Sequence, residues 1–168
     1  MNKKYELLAK DTKQWGGKTL YRIRALVAIG SFVAAGDLGG YIETEKNLST
    51  SGDAWVSGNA RVSGDARVSG NAWVSGNAWV SGDAWVSGDA QVLKSADILQ
   101  IGPSKSSGRF TTAHIDKKIG VRVNCGCFSG TVKEFSDAIE EAHKNNQEYL
   151  EQYRLFCQLI AFNFGVTK

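Results

Sequence analysis

Ser51-Gly-Asp-Ala-Trp-Val56, Ser57-Gly-Asn-Ala-Arg-Val62, Ser63-Gly-Asp-Ala-Arg-Val68, Ser69-Gly-Asn-Ala-Trp-Val74, Ser75-Gly-Asn-Ala-Trp-Val80, Ser81-Gly-Asp-Ala-Trp-Val86 and Ser87-Gly-Asp-Ala-Gln-Val92 are seven copies of one six-residue unit. A strict period of six with a valine spine is the mark of a parallel β-helix, in which three units make one triangular turn. Residues 18 apart in the chain then stack at the spacing of adjacent strands, about 4.8 Å. The valine and the alanine of each unit are expected to point inward, and Ser-Gly-Asp/Asn to make the corner, where Gly and Asn accept left-handed backbone. The residue between alanine and valine points outward. Its columns are expected to run Trp55, Trp73, Gln91, then Arg61, Trp79, Asp97, then Arg67, Trp85. Two of these columns place a guanidinium one rung from an indole, a cation–π geometry worth about 0.5–1 kcal/mol when exposed.

Four outward indoles (Trp55, Trp73, Trp79 and Trp85) are more than a chain normally leaves bare. Self-association through flat coil faces is the first expectation, with at least two of these tryptophans buried between subunits. A partner-protein surface, or a stacking platform for a base or sugar, is the alternative. With Arg61 and Arg67, these four form the expected binding surface.

Outward from the repeat, residues 1–47 read as an N-terminal β cap. Thr19–Leu26 alternates apolar and basic residues at period two, the pattern of a half-buried strand. Asp11–Gly17 reads as one turn, and Gly36–Gly40 as a second that feeds Tyr41-Ile42 into the first coil. A cap is required because a bare coil end exposes unpaired strand edges. The coil itself is expected over residues 48–101, and residues 102–168 form a third segment. There, Phe110–Ile115 and Ile119–Phe128 read as a hairpin turned at Asp116-Lys117-Lys118. Thr131 and Glu134 have capping-box spacing, opening a helix over 132–144 with Val132, Phe135, Ile139 and Ala142 on one face. A second helix spans about 148–164. Its latter half is apolar around most of its circumference, as in a helix buried on all sides. Leu155, Phe156, Leu159, Ile160, Phe162 and Phe164 are therefore the expected oligomer interface, of a dimer or a trimer.

Composition narrows the function. The net charge of +3 hides a segregation: residues 1–30 carry seven Lys/Arg against Glu6 and Asp11, and residues 99–130 carry five against Asp116. That is a polarised surface, not a nucleic-acid-binding composition. Three cysteines argue against a disulfide framework and for a reducing cytoplasm. No apolar leader segment or membrane-length apolar run is present, so neither a signal peptide nor a membrane span is expected.

The repeat holds no His, Cys or Glu. Hexapeptide coils are familiar from acyltransferases, where a histidine is the general base. Here the only histidines are His114 and His143, both outside the repeat. His143 reads as a solvated residue at a helix C-terminus. Cys125, Cys127, Cys157 and His114 are of the right types for zinc. Without a C-x2-C spacing, however, they read as buried small residues of a hairpin. The corner Asp and Asn residues read as turn formers rather than calcium ligands, since calcium-binding β-rolls repeat every nine residues. Lys105 and Arg109, in the polar loop from Gly102, could hold a small anion with free backbone N–H groups. No cofactor is expected.

A second resemblance rests on flanking motifs: Gly36-Asp-Leu-Gly-Gly-Tyr-Ile-Glu and Asn47-Leu-Ser before the coil, then Ile101-Gly-Pro-Ser, Phe110-Thr-Thr and Val123-Asn-Cys-Gly-Cys-Phe-Ser-Gly after it. Over residues 36–150 the chain resembles hexapeptide-repeat proteins of bacteriophages and prophages, described as polymer-forming or transferase-like without an assigned reaction. The resemblance implies a mainly β fold, a left-handed parallel β-helix with an N-terminal β cap and a C-terminal hairpin plus two helices. It also implies an accessory protein of the bacterial cytoplasm. The expected function is a non-enzymatic binding protein that inhibits a host antiviral defence system by protein contact. The alternatives are an oligomeric ligand-binding or degenerate acyltransferase-like protein, holding a nucleotide or acyl carrier, and a self-assembling structural protein.

Overall fold

The computed structural model describes residues 4–166, which divide into two compact units, the first ending at Ser95 and the second beginning at Ala96. In the first unit, strands β1 (Tyr5–Trp15) and β2 (Lys18–Ala25) form an antiparallel hairpin, and β3 (Leu38–Ile42) pairs with β2. Seven two-residue strands follow, one per repeat: β4 (Trp55–Val56), β5 (Arg61–Val62), β6 (Arg67–Val68), β7 (Trp73–Val74), β8 (Trp79–Val80), β9 (Trp85–Val86) and β10 (Gln91–Val92). They stack in parallel as β3-β5-β8, β4-β7-β10 and β6-β9, with Leu48 bridging to Val68 below β6. Three flat faces around a valine core result.

The core follows directly from the repeat. Val56, Val62, Val68, Val74, Val80, Val86 and Val92 are all buried, as are the alanines two residues before them. At several corners the alanine N–H donates back to the serine carbonyl, as from Ala60 to Ser57 at 3.2 Å and from Ala78 to Ser75 at 3.2 Å. The intervening glycines, Gly52 to Gly88, sit at φ between +62° and +70°, a conformation a side chain resists. The corners at Ser57, Ser69, Ser75 and Ser81 are thus closed by a backbone hydrogen bond.

Two boundaries differ from expectation. The expected columns pair at 18 residues, Trp55 on Trp73, Arg61 on Trp79 and Arg67 on Trp85, but Tyr41 pairs with Arg61 and Leu48 bridges to Val68, an offset of 20. The first rung therefore begins in β3, and the corner between Leu48 and Ala54 holds the two extra residues. At the other end, Ile98–Ile101 does not continue the coil but pairs antiparallel with Thr111–His114 in the second unit.

Each rung donates its N–H groups to carbonyls of the next, as from Trp55 to Ala72 and from Trp73 to Ala90. First-rung carbonyls have no rung before them, and the N-terminal segment supplies their donors. β2 pairs with β3 on one face. On the second, the Tyr5 hydroxyl donates to Leu48 O at 2.7 Å. At the enlarged corner, the Lys4 ammonium donates to Ser49 O, Gly52 O and Ala54 O at 3.2, 3.0 and 2.6 Å. Burial pulls the Lys4 pKa down to about 8, against a counter-effect from Asp53, and pushes that of Tyr5 up to about 12. Three donors on one ammonium match three orphan carbonyls. β1 also runs on to Trp15, so only Gly16-Gly17 turns the hairpin; an irregularity between Leu8 and Thr12 takes the place of the turn expected from Asp11.

The second unit is a four-stranded antiparallel meander, β11 (Ile98–Ile101), β12 (Thr111–Asp116), β13 (Gly120–Cys125) and β14 (Phe128–Thr131), followed by helices α1 (Val132–His143) and α2 (Gln147–Phe164). The strand expected over Ile119–Phe128 is split at Gly126, whose φ of +59° lets Cys125 pair with Phe128 across a tight turn. Thr131 and Glu134 form the expected capping box, and Asn146 caps α2. Ala113, Val121 and Val123 of the sheet pack against Phe135, Ile139, Tyr153, Cys157 and Ile160. Only one side of α2 enters this core. Ile160, expected at an interface, is fully buried within its own unit, whereas Leu155, Leu159 and Phe162 remain exposed.

Candidate functional site

The hairpin folds Trp15 onto the solenoid face built from β3, β5 and β8. The Trp15 and Trp79 rings meet edge to face, 5.5 Å apart at 84°. The Arg61 guanidinium, one rung below Trp79, lies over Trp15 at 4.3 Å from its centroid. Beneath it, the Tyr41 ring takes Lys13 Nζ at 4.2 Å and the Arg22 guanidinium at 5.4 Å. The ladder Tyr41–Arg61–Trp79 is thus interleaved with Lys13 and Trp15 of β1. An open cleft of about 210 Å³ lies between Lys13, Gln14, Trp15 and Arg61. Trp15 and Trp79 remain 42% and 44% exposed. Lys13 also donates to Asn59 and Lys18 pairs with Glu43, but Arg61 has no carboxylate partner among the described residues.

The six residues expected to form one binding surface lie on three different faces. Arg61 and Trp79 share the hairpin-bearing face, Trp55 and Trp73 a second, and Arg67 and Trp85 a third. Trp55 is only 1% exposed and is no surface residue. Gly39 lies against its ring; a Cβ there would come within 2.7 Å of the indole. Trp73 is half-buried and meets Phe32 edge to face at 6.2 Å, while Trp85 donates its indole N–H to Ser69 at 3.2 Å. The indole that the Arg61 guanidinium covers is Trp15, not the column neighbour Trp79. Trp15, Lys13, Tyr41 and Phe32 were missed by the sequence reading. Trp15 next to a Gly-Gly turn was a hairpin signal, but nothing local showed which face the hairpin would cover.

The other expected sites are changed by their partners. Lys105 Nζ is paired with Glu148 at 2.6 Å, which raises its pKa, and its backbone N–H donates to Gln152. Ser104 and Ser107 bond each other, and Ser106 bonds Tyr153. Arg109 packs its guanidinium beside Gly126. Several of the loop's polar groups are thus engaged within the unit, and of its two exposed cations only Arg109 has no carboxylate partner among the described residues. His114 is fully buried; its Nε2 meets Asn124 Nδ2 at 3.1 Å and its Nδ1 meets Ile115 O at 3.2 Å. Burial pulls its pKa down to about 4 and keeps the ring neutral. Burial would raise the Asp116 pKa, but Arg122 at 2.7 Å and two backbone N–H groups hold it below the usual range. His143 stacks on Tyr153 at 5.0 Å. Cys157 is buried in the helical core, and Cys127 is exposed. Among the described residues no three His, Cys, Asp or Glu side chains gather as a metal site, and no helix is long and apolar enough to cross a membrane.

Stacked two-residue strands around a valine core, with aromatic and cationic side chains on the faces, define a β-solenoid protein. A family model described as the YdcK beta solenoid repeat matches residues 54–69, 60–76 and 66–82. These overlapping windows lie in the middle of the solenoid and support the repeat architecture. No curated protein matches the chain.

Proposed function

We propose that this chain is a non-enzymatic binding protein that presents Trp15, Arg61 and Trp79 to a partner protein. The carrying observation is the half-exposed indole pair beside a guanidinium without a carboxylate partner among the described residues. Trp, Tyr and Arg dominate binding energy where two protein surfaces meet, and Arg61 can gain there the carboxylate it lacks. The cleft is open and below the roughly 300–1,000 Å³ that encloses a small ligand, which favours a protein partner. A buried, neutral His114 with both ring nitrogens engaged offers no general base, which supports a role without catalysis. The finer reading follows from the phage resemblance: a left-handed hexapeptide coil that acts in the bacterial cytoplasm by contacting a host defence protein.

The test is affinity capture from phage-sensitive bacteria with the wild-type chain, Arg61→Glu and the double variant Trp15→Ser/Trp79→Ser. One stoichiometric partner held by the wild type and lost by both variants supports the proposal. A partner held equally by all three contradicts it.

A further inference from the structure

The outer side of α2 carries Leu155, Leu159 and Phe162, 56%, 45% and 87% exposed. Their spacing of four and then three residues lines them on one stripe. Glu151 and Glu148 occupy the same stripe one and two turns before Leu155, Glu148 paired with Lys105, so its N-terminal half holds the carboxylates and its C-terminal half is apolar. From Leu155 to Val166 the chain carries no charged side chain. The nearest cation, Arg154, is held mainly by Glu140, through two contacts of 2.7 and 2.8 Å, and reaches Glu151 only at 3.8 Å. Its neighbour Gln158 is also exposed.

We propose that this stripe is a homodimer interface, in which α2 packs antiparallel on α2 of a second copy about a two-fold axis near Gln158 and Leu159. The charge distribution selects this occupant. A parallel pairing would set Glu151 against Glu151 of the second copy. An antiparallel pairing lays the two uncharged halves together, brings Leu155 against Phe162, and leaves both acidic halves in solvent beyond the contact. A two-fold contact must be self-complementary, and this stripe is. Antiparallel helix dipoles also oppose favourably. Three side chains of this size leave roughly 350 Å² of apolar surface per chain. Pairing covers roughly 700 Å² from these alone, and the flanking Gln158 and Asn163 bring the total to roughly 1,000 Å², the threshold of a specific contact. A contact at that threshold makes a weak, reversible dimer rather than a permanent one.

Sedimentation velocity of the full chain from about 1 to about 200 μM reads the association directly. The mass is expected to rise from 18.2 kDa toward twice that value. Phe162→Glu and Leu155→Glu alter only exposed positions, so the helical circular dichroism stays unchanged while association weakens at least about tenfold. In a Cys127→Ser background, Gln158→Cys is expected to form an interchain disulfide and Glu151→Cys is not. A chain monomeric at the highest concentration overturns the proposal. So does a dimer that both variants leave intact, or a cross-link from position 151 alone. Because Trp15, Arg61 and Trp79 are untouched, loss of the dimer leaves the proposed partner contact to be judged separately.

Discussion

The solenoid unit and the meander–helix unit are stabilised by opposite strategies. In the first, every rung repeats the same contact: Val on Val, Ala packed near the corner, and a backbone N–H to the next carbonyl. Each residue's neighbours are fixed by adding or subtracting 18, and the difficulty is concentrated at the first rung. In the second, a sheet packs its apolar face on two helices while its polar face buries Thr112, His114, Asp116 and Asn124. Its stability depends on individual partners rather than on a period. The comparison teaches that a periodic fold moves its specific chemistry to its cap, whereas an aperiodic fold distributes it through the core.

The two units can be followed separately. All five tryptophans (Trp15, Trp55, Trp73, Trp79 and Trp85) lie in the first unit, and both α-helices lie in the second. Indole fluorescence therefore reports on the solenoid and helical circular dichroism on the meander unit. The largest effect is expected from Val74→Asp, which buries an unpaired carboxylate in the valine stack. A loss of about 4 kcal/mol or more should appear in denaturant titration as a collapse of the fluorescence transition.

Next comes the cap. Tyr5→Phe leaves Leu48 O without its side-chain donor and should cost about 1–3 kcal/mol; Lys4→Met, which orphans carbonyls at the enlarged corner, should cost at least as much. A solenoid that tolerates both without a shift in its midpoint would show that solvent caps the first rung equally well. Raising the pH from about 8 to about 10.5 should stabilise the wild type, because the unfolded chain then binds the Lys4 proton that the folded chain has released. Lys4→Met should abolish that gain.

The meander unit has the corresponding acid dependence. His114 is neutral in the fold down to about pH 4 but protonates near 6.5 when unfolded, so stability should fall as the pH drops through that window. A loss of roughly 2–3 kcal/mol is expected, seen in thermal melts of the helical signal and absent in His114→Gln. The smallest effect belongs to the interleaved face: Trp15→Leu removes the exposed cation–π contact and should cost about 0.5–1 kcal/mol of hairpin stability.

The contrast also explains what could be read from the sequence. Column pairs such as Arg61 with Trp79, the Thr131–Glu134 capping box and the two helices depend on spacing alone and were legible. The first rung was not, because two extra residues in one corner break the period, and its donors come from Lys4, 50 residues before Ala54. The candidate site was half legible. Arg61 and Trp79 came from the repeat, but Trp15 reaches them only through the hairpin. The burial of Trp55 depends on the backbone of Gly39, which carries no sequence pattern. Hydrophobicity along α2 did not separate Ile160, which its own unit buries, from Leu155, Leu159 and Phe162, which stay exposed.

The most direct test of the binding account is a photo-crosslinking amino acid placed in living bacteria at position 79 in one chain and at position 85 in another. These positions occupy equivalent places in the repeat on different faces. The account requires a discrete heterologous adduct from position 79 that Arg61→Glu abolishes, with none from position 85. An adduct from position 85 alone, or adducts that ignore Arg61, would contradict it.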